Sequence, residues 1–283
     1  MHHPAQPSGE PGPPDDAMSD PFDPTVARSA RVYDVLLGGK TNFAADRAAA
    51  AHLTAQFPSA PLVARENRRF MQRVVHWMAL HGVTQFLDLG TGIPTSPNVH
   101  EIAQQVTPRA RVVYVDHDPL VLAHARALLI SHPAGAVAYI HADIRDPVAI
   151  LGAARLHDVI DLAQPVGLLA IAALHFVPDP YAQQTMRELL SVLTPGSFVA
   201  VTHFTTDLRA PADAARARDV AARMGTGVVP RTRDELARLF DGRELVEPGI
   251  VALPRWQPDG GQAEPGGLSD ADVSMFAAVA SCS

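Results

Sequence analysis

The chain has 283 residues, of which 47% are hydrophobic and 19% charged, and its formal net charge is −7. This composition is ordinary for a globular enzyme of one or two domains, and the acidic balance speaks against a nucleic-acid-binding protein, which usually carries a basic stripe. The single cysteine, Cys282, excludes an intrachain disulfide framework, and no apolar run reaches the roughly 20 residues that cross a bilayer, so we expect a cytoplasmic protein without membrane contact.

The first 82 residues divide into two segments of different composition. Residues 1–24 are rich in Pro, Gly and Asp and lack both the basic start and the apolar segment of a secretion signal. Such a segment buries too little apolar surface to offset its ordering entropy, so we expect a disordered tail. Residues 25–82 have a helical pattern and are expected to form an N-terminal helical cap, with Ser29 capping the first helix. The predicted helices are Ser29–Leu37, Asp46–Phe57 and Leu62–His81.

From residue 83 to the end, short β-rich runs alternate with helical stretches. This alternation predicts βαβ units, and therefore an α/β domain with a mostly parallel sheet and helices on both faces. The Pro- and Gly-rich stretch 254–270 is expected to be a loop that joins the last two strands. The predicted strands are Gln85–Leu89, Arg111–Asp116, Ala136–His141, Val166–Ala172, Ser197–Phe204, Leu245–Leu253 and Val273–Ala280. The predicted helices between them are Asn98–Val106, Pro119–Ile130, Val148–Ala154, Tyr181–Leu193, Ala212–Met224 and Arg231–Phe240.

A glycine loop and a series of acids mark the candidate site. The run Phe86–Gly92 reads FLDLGTG, so glycines follow the first predicted strand directly and let the backbone turn tightly and approach a ligand. Asp88 lies inside that strand, Asp116 closes the second strand, and Asp143 follows the third. Because the ligand crevice of an open α/β sheet lies outside the carboxyl ends of its strands, we expect all three acids to face one site.

Each acid has a functional interpretation and a structural alternative. Asp116 suits the two hydroxyls of a ribose, or else caps the next helix, which Asp118 can also do. Asp143 suits the amino group of an adenine, with the backbone N–H of Ile144 donating to the ring, or else is a turn or N-cap residue. Asp88 attracts a cationic amino-acid end, directly or through water, or else anchors the loop. Together they describe an adenosine ligand with a positive tail that carries no phosphate.

These features resemble the class I S-adenosylmethionine-dependent methyltransferases, and further segments resemble one subfamily of bacterial S-adenosyl methyltransferases long classed as a domain of unknown function. The resemblance covers nearly everything from residue 23 to 257, and Pro94 in place of a third glycine is typical of the subfamily. It implies a Rossmann-like, seven-stranded sheet whose last strand is antiparallel, with S-adenosylmethionine as cofactor and S-adenosylhomocysteine as product. The segments that carry it are Ser29–Asp34, Leu37–Arg47, Phe86–Thr95, Asn98–Glu101, Val113–Pro119, Leu174–Pro178 and Val246–Gly249.

The resemblance also implies that the N-terminal helices cover the cofactor, with Tyr33, Lys40 and Asn42 near it. The alternative is that Gly38 and Gly39 simply end a helix. The triplet Gly39-Lys-Thr is not interpreted as a phosphate-binding loop, because that motif needs an earlier glycine and a preceding strand. The remaining residues expected at the cofactor by position are Gly90, Thr91 and Gly92 in the loop, His117 after the second strand and Ala173 after the fourth.

The chemistry beyond the cofactor is less specified. His175 and His203 follow or end central strands and are candidate general bases, since a histidine titrates near neutrality; the alternative for both is a packed, structural histidine. The acidic balance favours a small-molecule methyl acceptor, and no Cys/His spacing indicates a metal site. The leading interpretation is methyl transfer to an O, N or C nucleophile. A non-catalytic S-adenosylmethionine-binding or regulatory protein is the alternative, and a nicotinamide-dependent oxidoreductase is disfavoured by the missing third glycine.

Overall fold

A computed structural model describes residues 23–128, 130–223, 227–257 and 268–283. The predicted tail, apart from residues 23 and 24, lies outside the described residues, as does most of the predicted loop 254–270. Within the described part of the chain, no helix is both long enough and apolar enough to cross a membrane.

The sheet is mixed and mostly parallel, with the order β3-β2-β1-β4-β5-β8-β6, and β7 also pairs with β8. The first five strands are parallel, and β8 is antiparallel to its neighbours, as predicted. The chain order reverses between β1 and β4, which places a ligand crevice outside the carboxyl ends of these two strands. The strands are β1 Gln85–Leu89, β2 Arg111–Asp116, β3 Ala136–His141, β4 Gly167–Ile171, β5 Ser197–Phe204, β6 Glu244–Leu245, β7 Val251–Ala252 and β8 Met275–Cys282.

Two differences from the predicted elements lie near the C-terminus. The predicted strand Leu245–Leu253 is two short strands, because a turn closed by the Gly249 N–H on the Val246 carbonyl interrupts it; the sheet therefore has eight strands rather than seven. A short helix precedes β8 where a loop and the start of a strand were predicted. Ser269 caps this helix, accepting the Asp272 N–H at 3.2 Å.

The helices follow the predicted segments with small shifts. Ser29 is the first helical residue rather than the cap, and the Asp46 carboxylate accepts the N–H of the actual cap residue, Arg28, at 3.0 Å. The predicted helix Val148–Ala154 is replaced by two short helices. The helices are α1 Ser29–Leu36, α2 Ala44–Gln56, α3 Ala60–Leu80, α4 Val99–Val106, α5 Pro119–Leu128, α6 Pro147–Leu151, α7 Ala154–Val159, α8 Tyr181–Ser191, α9 Pro211–Arg223, α10 Arg233–Arg238 and α11 Asp270–Val273.

Each face of the sheet supports its own hydrophobic core, because successive side chains of a strand point to opposite faces. On one face, Phe70 and Met78 of α3 pack in a cluster with Phe86 of β1. On the other face, Leu87 of β1 lies in a cluster with Met186 of α8. Full burial of a side chain of this size stabilises the fold by about 1.5–3 kcal/mol. Helix α3 is therefore part of the layer that covers the sheet, and α1 and α2 pack on α3.

Candidate functional site

The glycine loop turns sharply at the carboxyl end of β1. The backbone N–H groups of Gly90 and Thr91 donate to the Val115 carbonyl of β2, at 2.8 and 3.2 Å. Gly90 and Gly92 have φ values of +68° and +69°, which favour glycine. A Cβ on Gly90 would lie 2.8 Å from the Ala173 Cβ, whereas among the described atoms one on Gly92 would meet nothing within 4 Å. Gly90 is thus required for packing, and Gly92 faces open space beside the crevice.

Asp116 joins the end of β2 to this loop. Its Oδ2 accepts the Gly92 N–H at 2.9 Å, and its Oδ1 accepts the Asp118 N–H at 2.9 Å. Burial raises the pKa of the Asp116 carboxyl above its ordinary value, although both N–H donors act to lower it. A carboxylate has about four acceptor positions, so each oxygen keeps one for a ligand. Asp118 accepts the Leu120 N–H at 2.8 Å at the start of α5, and thus fills the alternative role that the sequence left open for Asp116.

Asp88 is the most perturbed acid of the loop region. It is 7% exposed, and burial raises the pKa of its carboxyl to about 7, although the Arg68 guanidinium and the Thr91 hydroxyl lower it. Arg68 comes from α3 and donates to the carbonyls of Thr95 and Pro97, which follow the glycine loop. Arg68 was not predicted as a site residue, since its only signal in the sequence is a run of polar residues within α3.

Asp143 is engaged by its own turn. The guanidinium of Arg145 donates to Asp143 Oδ2 through Nε at 2.9 Å and through Nη2 at 2.6 Å. The backbone N–H of Arg145 donates to Asp143 Oδ1 at 2.8 Å. Burial acts to raise the pKa of the Asp143 carboxyl, but the hydrogen bonds from Arg145 outweigh it and hold the pKa below its ordinary value. Asp143 thus has the hydrogen bond of a turn aspartate, which is the structural alternative predicted for it.

Hydrogen bonds also fix Ile144 and His117, the residues that follow Asp143 and Asp116. The Ile144 carbonyl accepts the Thr185 hydroxyl of α8 at 3.0 Å. The His117 side chain is 62% exposed, with Nδ1 3.7 Å from Asp116 Oδ1. The His117 carbonyl accepts from His141 Nε2 at 2.9 Å. These bonds fix the backbone that follows β2 and β3, beside the crevice.

A buried arginine organises the segment after β4. Arg231, 2% exposed, precedes α10, and its Nη1 donates to the Leu174 carbonyl at 3.0 Å and to His203 Nε2 at 2.6 Å. Its Nη2 donates to the Val177 carbonyl at 2.8 Å and to Asp179 at 3.2 Å. Arg231 was not predicted as a site residue, because its partners lie far from it along the chain.

The two candidate bases occupy different environments. His203 is fully buried; its Nε2 accepts from Arg231, its Nδ1 donates to the Phe204 carbonyl at 2.9 Å, and burial lowers its pKa to about 4. Both ring nitrogens of His203 therefore have hydrogen-bond partners within the protein. His175 packs edge-on against His203, and its buried Nδ1 has no hydrogen-bond partner among the described residues. Burial lowers the pKa of His175 well below its ordinary value, so its ring is neutral at pH 7.

A chain of buried hydrogen bonds connects the N-terminal helices to the end of β4. The Ala172 N–H donates to the Thr202 hydroxyl at 2.8 Å, and that hydroxyl donates to Asn67 Oδ1 at 2.7 Å. Asn67 Nδ2 then donates to the Tyr33 hydroxyl at 2.9 Å, which donates to the Ala64 carbonyl at 3.0 Å. We call Thr202, Asn67 and Tyr33 the relay. Tyr33 is thus connected to the end of β4, beside the crevice, by hydrogen bonds through Asn67 and Thr202.

Asn42 and its neighbours build the loop between α1 and α2. Asn42 Nδ2 donates to the Asp34 carboxylate at 2.8 Å, which also accepts the Thr41 N–H at 2.9 Å. A Cβ on Gly39 would collide with the same carboxylate, which accounts for the glycine. Lys40 is exposed. Asn42 Oδ1 accepts from Arg47 Nη1 of α2 at 3.0 Å, so Asn42 ties the loop to both α1 and α2.

The N-terminal helices line an open cavity of about 380 Å³. Its walls are apolar residues of all three helices together with the guanidinium-bearing residues Arg47 and Arg65. No predicted cofactor residue lines it, so it is separate from the glycine loop. The cavity is lined by Val35, Leu36, Leu37, Gly38, Arg47, Ala50, Ala51, Thr54, Pro61 and Arg65.

Within the described ranges, no group of three His, Cys, Asp or Glu side chains is arranged to hold a metal ion.

Comparisons with known proteins identify the family to which the chain belongs. Residues 15–283 match a family described as S-adenosyl methyltransferase. A DUF574 family protein from Streptomyces avermitilis is 45% identical, with a TM-score of 0.84 over 90% of this chain and 97% of that chain. A protein from Thermobifida fusca is 40% identical, with a TM-score of 0.82 over 92% of this chain and 96% of that chain. A comparison with curated proteins found no match.

Proposed function

The chain belongs to the S-adenosyl methyltransferase family, and we propose that its Asp88–Gly92 loop and Asp116 hold S-adenosylmethionine for methyl transfer to an O, N or C nucleophile of a small molecule. The observation that carries the proposal is the 2.9 Å hydrogen bond from the Gly92 N–H to Asp116. This bond brings the open face of the glycine loop beside a buried carboxylate that keeps an acceptor position on each oxygen. Such a carboxylate suits the two hydroxyls of a ribose.

The rest of the loop suits the amino-acid end of the same cofactor. Asp88 supplies a buried carboxyl for an ammonium group, and Arg68, which acts on the pKa of that carboxyl, supplies a cation for a carboxylate. S-adenosylmethionine carries its methyl group on a sulfonium centre, which is already a strong methyl donor. The protein then has to align the acceptor with that group and exclude water from the crevice.

The acceptor is proposed to be small. The net charge of −7 disfavours a polyanionic nucleic acid. Of the two candidate bases, only His175 has a ring nitrogen without a hydrogen-bond partner among the described residues. Its pKa is lowered by burial, so the proposed transfer relies on aligning the donor with the acceptor rather than on a strong base.

Calorimetry with S-adenosylhomocysteine, S-adenosylmethionine and NAD tests the cofactor assignment. We expect both sulfur ligands to bind and NAD not to bind. Asp116→Ala should weaken S-adenosylhomocysteine binding by roughly tenfold to a hundredfold, the loss of one or two charge-assisted hydrogen bonds. The matched control is Asp118→Ala, which removes a helix cap and should lower stability by about 1 kcal/mol with little change in affinity. Unchanged affinity in folded Asp116→Ala would remove Asp116 from the site.

A binding or regulatory protein without transfer is the second candidate function. The occupied nitrogens of His203 and the strongly lowered pKa of His175 favour it, because neither ring is poised to take a proton at neutral pH. Incubation with S-adenosylmethionine labelled in its methyl group and a panel of small nucleophiles distinguishes the two. Labelled product supports transfer, whereas tight cofactor binding without product across O, N and C nucleophiles supports the regulatory role.

A further inference from the structure

We infer that Thr202 and Asn67 are positioning residues of the cofactor site. Through them, helix α1 holds in place the segment after β4 against which the glycine loop packs. The inference rests on the proposed function of that loop. Its basis is the relay, whose two central side chains are 0% and 2% exposed. None of these side chains needs to touch the cofactor for the effect.

The relay has one consistent direction. The Thr202 hydroxyl carries a single proton, which it donates to Asn67, so it meets the Ala172 N–H as an acceptor. Asn67 accepts with its oxygen and donates with its nitrogen. Rotating this amide by 180° would turn the Tyr33 proton toward Asn67 and leave the Ala64 carbonyl without it. A directional network whose two central side chains are buried selects one arrangement of the elements that contribute to it.

The end of the relay lies on a strained segment. Ala172 has a φ of +55°, which an L-residue with a Cβ rarely adopts and which persists only where surrounding contacts hold it. The bond to Thr202 is such a contact, and it acts on the peptide N–H of Ala172 itself. The next residue, Ala173, occupies the space that a Cβ on Gly90 would need. The position of Ala172 therefore determines how Ala173 meets the glycine loop.

The relay also spans the fold. Tyr33 comes from α1, Asn67 from α3, and Thr202 from β5, and no two of them are neighbours in sequence. Loss of the Tyr33 hydroxyl at the far end frees the Asn67 amide to rotate, and the Thr202 hydroxyl loses its fixed acceptor. The effect then reaches Ala172 without any contact between α1 and the loop.

The test compares Thr202→Val, Thr202→Ser, Tyr33→Phe and the double variant Tyr33→Phe/Thr202→Val in the full chain. Thr202→Val should weaken S-adenosylhomocysteine binding by about threefold to tenfold, the value of one buried hydrogen bond, whereas Thr202→Ser keeps the hydroxyl and should bind as the wild type does. Tyr33→Phe should weaken binding less. The double variant should bind no more weakly than Thr202→Val, because the relay is already broken.

The matched control is Ser197→Ala. Ser197 lies at the start of β5, on the same strand as Thr202, and is fully buried. Its hydroxyl accepts the Val166 N–H at 3.0 Å, at the amino ends of the parallel strands and away from the crevice. We expect it to lower the melting temperature with unchanged affinity. Equal weakening by Ser197→Ala and Thr202→Val, or additive effects in the double variant, would overturn the inference.

Hydrogen exchange of residues 172–176 in the ligand-free protein separates this inference from the proposed function. Tyr33→Phe should speed exchange there, since the relay transmits its loss, and Ser197→Ala should not. Unchanged exchange in Tyr33→Phe would overturn the relay even if the wild type binds S-adenosylhomocysteine. Absence of binding by the wild type, with exchange altered as expected, would overturn only the cofactor assignment.

Discussion

Replacing Asp88 by asparagine should make the protein more stable at neutral and alkaline pH. The asparagine side chain has nearly the shape of a protonated aspartate and carries no charge to bury. Folding raises the pKa of the Asp88 carboxyl from 3.8 to about 7, because burial disfavours the charged form. At about 1.36 kcal/mol for each pH unit, this difference corresponds to about 4 kcal/mol.

The pH window follows from the direction of the shift. Above pH 7 the carboxylate is charged in both states, and the folded state bears the full cost of burying it. As the pH falls from 7 toward 4, the folded protein takes up a proton that the unfolded chain does not yet bind, and the cost disappears. The advantage of Asp88→Asn over the wild type should therefore reach about 4 kcal/mol at pH 8 and vanish near pH 4.

Chemical unfolding of both proteins at pH 4, 6 and 8 measures this difference. The control is Asp143→Asn, whose carboxyl has a lowered pKa because of Arg145, so that this substitution should not stabilise the protein at pH 8. Asp88→Asn should also weaken S-adenosylhomocysteine binding, since stability gained at a functional site commonly costs function. An asparagine variant no more stable than the wild type at pH 8 would refute the reasoning.

Further expectations concern the glycines and the buried histidine. Gly92→Ala should cost about 1–2 kcal/mol of stability because of its positive φ, and its methyl group should also obstruct the cofactor. Gly90→Ala should cost more stability, because its Cβ would also meet Ala173. Thermal unfolding and calorimetry measure both effects, and equal melting temperatures of the two variants would contradict the packing argument. Folding lowers the pKa of His203 from 6.5 to about 4, so its contribution to stability is complete above pH 6.5 and about 3 kcal/mol is lost as the pH falls toward 4. His203→Gln, which can still accept from Arg231, should reduce this acid sensitivity in unfolding at pH 7 and 5, and an unchanged pH dependence would count against it.

The sequence predicted the elements that local patterns control. The bounds of β1, β2, β3 and β5 agree with the prediction, because each strand is a short apolar run bounded by turn-forming residues. The approach of the Asp116 carboxylate to Gly92 also follows from the topology, since parallel strands end at one edge of the sheet. The late strand Leu245–Leu253 was wrong in its length, because a turn at Glu247-Pro-Gly249 divides its two apolar ends into separate short strands.

The partners of the site residues could not be predicted in this way. Thr202 and Asn67 are 135 positions apart, and their contact depends on how α3 docks on the sheet. A threonine in a strand and an asparagine in a helix give only a weak signal, namely polar residues at buried positions of apolar segments. Arg231 is similar, because its guanidinium meets two carbonyls that no local pattern singles out.

The contact between Gly90 and Ala173 couples two segments that lie far apart in the chain. The two positions share a single volume, since a methyl group at position 90 would lie 2.8 Å from the Cβ of Ala173. A side chain at position 90 would also be strained by the φ of +68° at that residue. A residue larger than alanine at position 173 would therefore press on the glycine loop. A shift of the backbone after β4 would for the same reason displace the turn after β1.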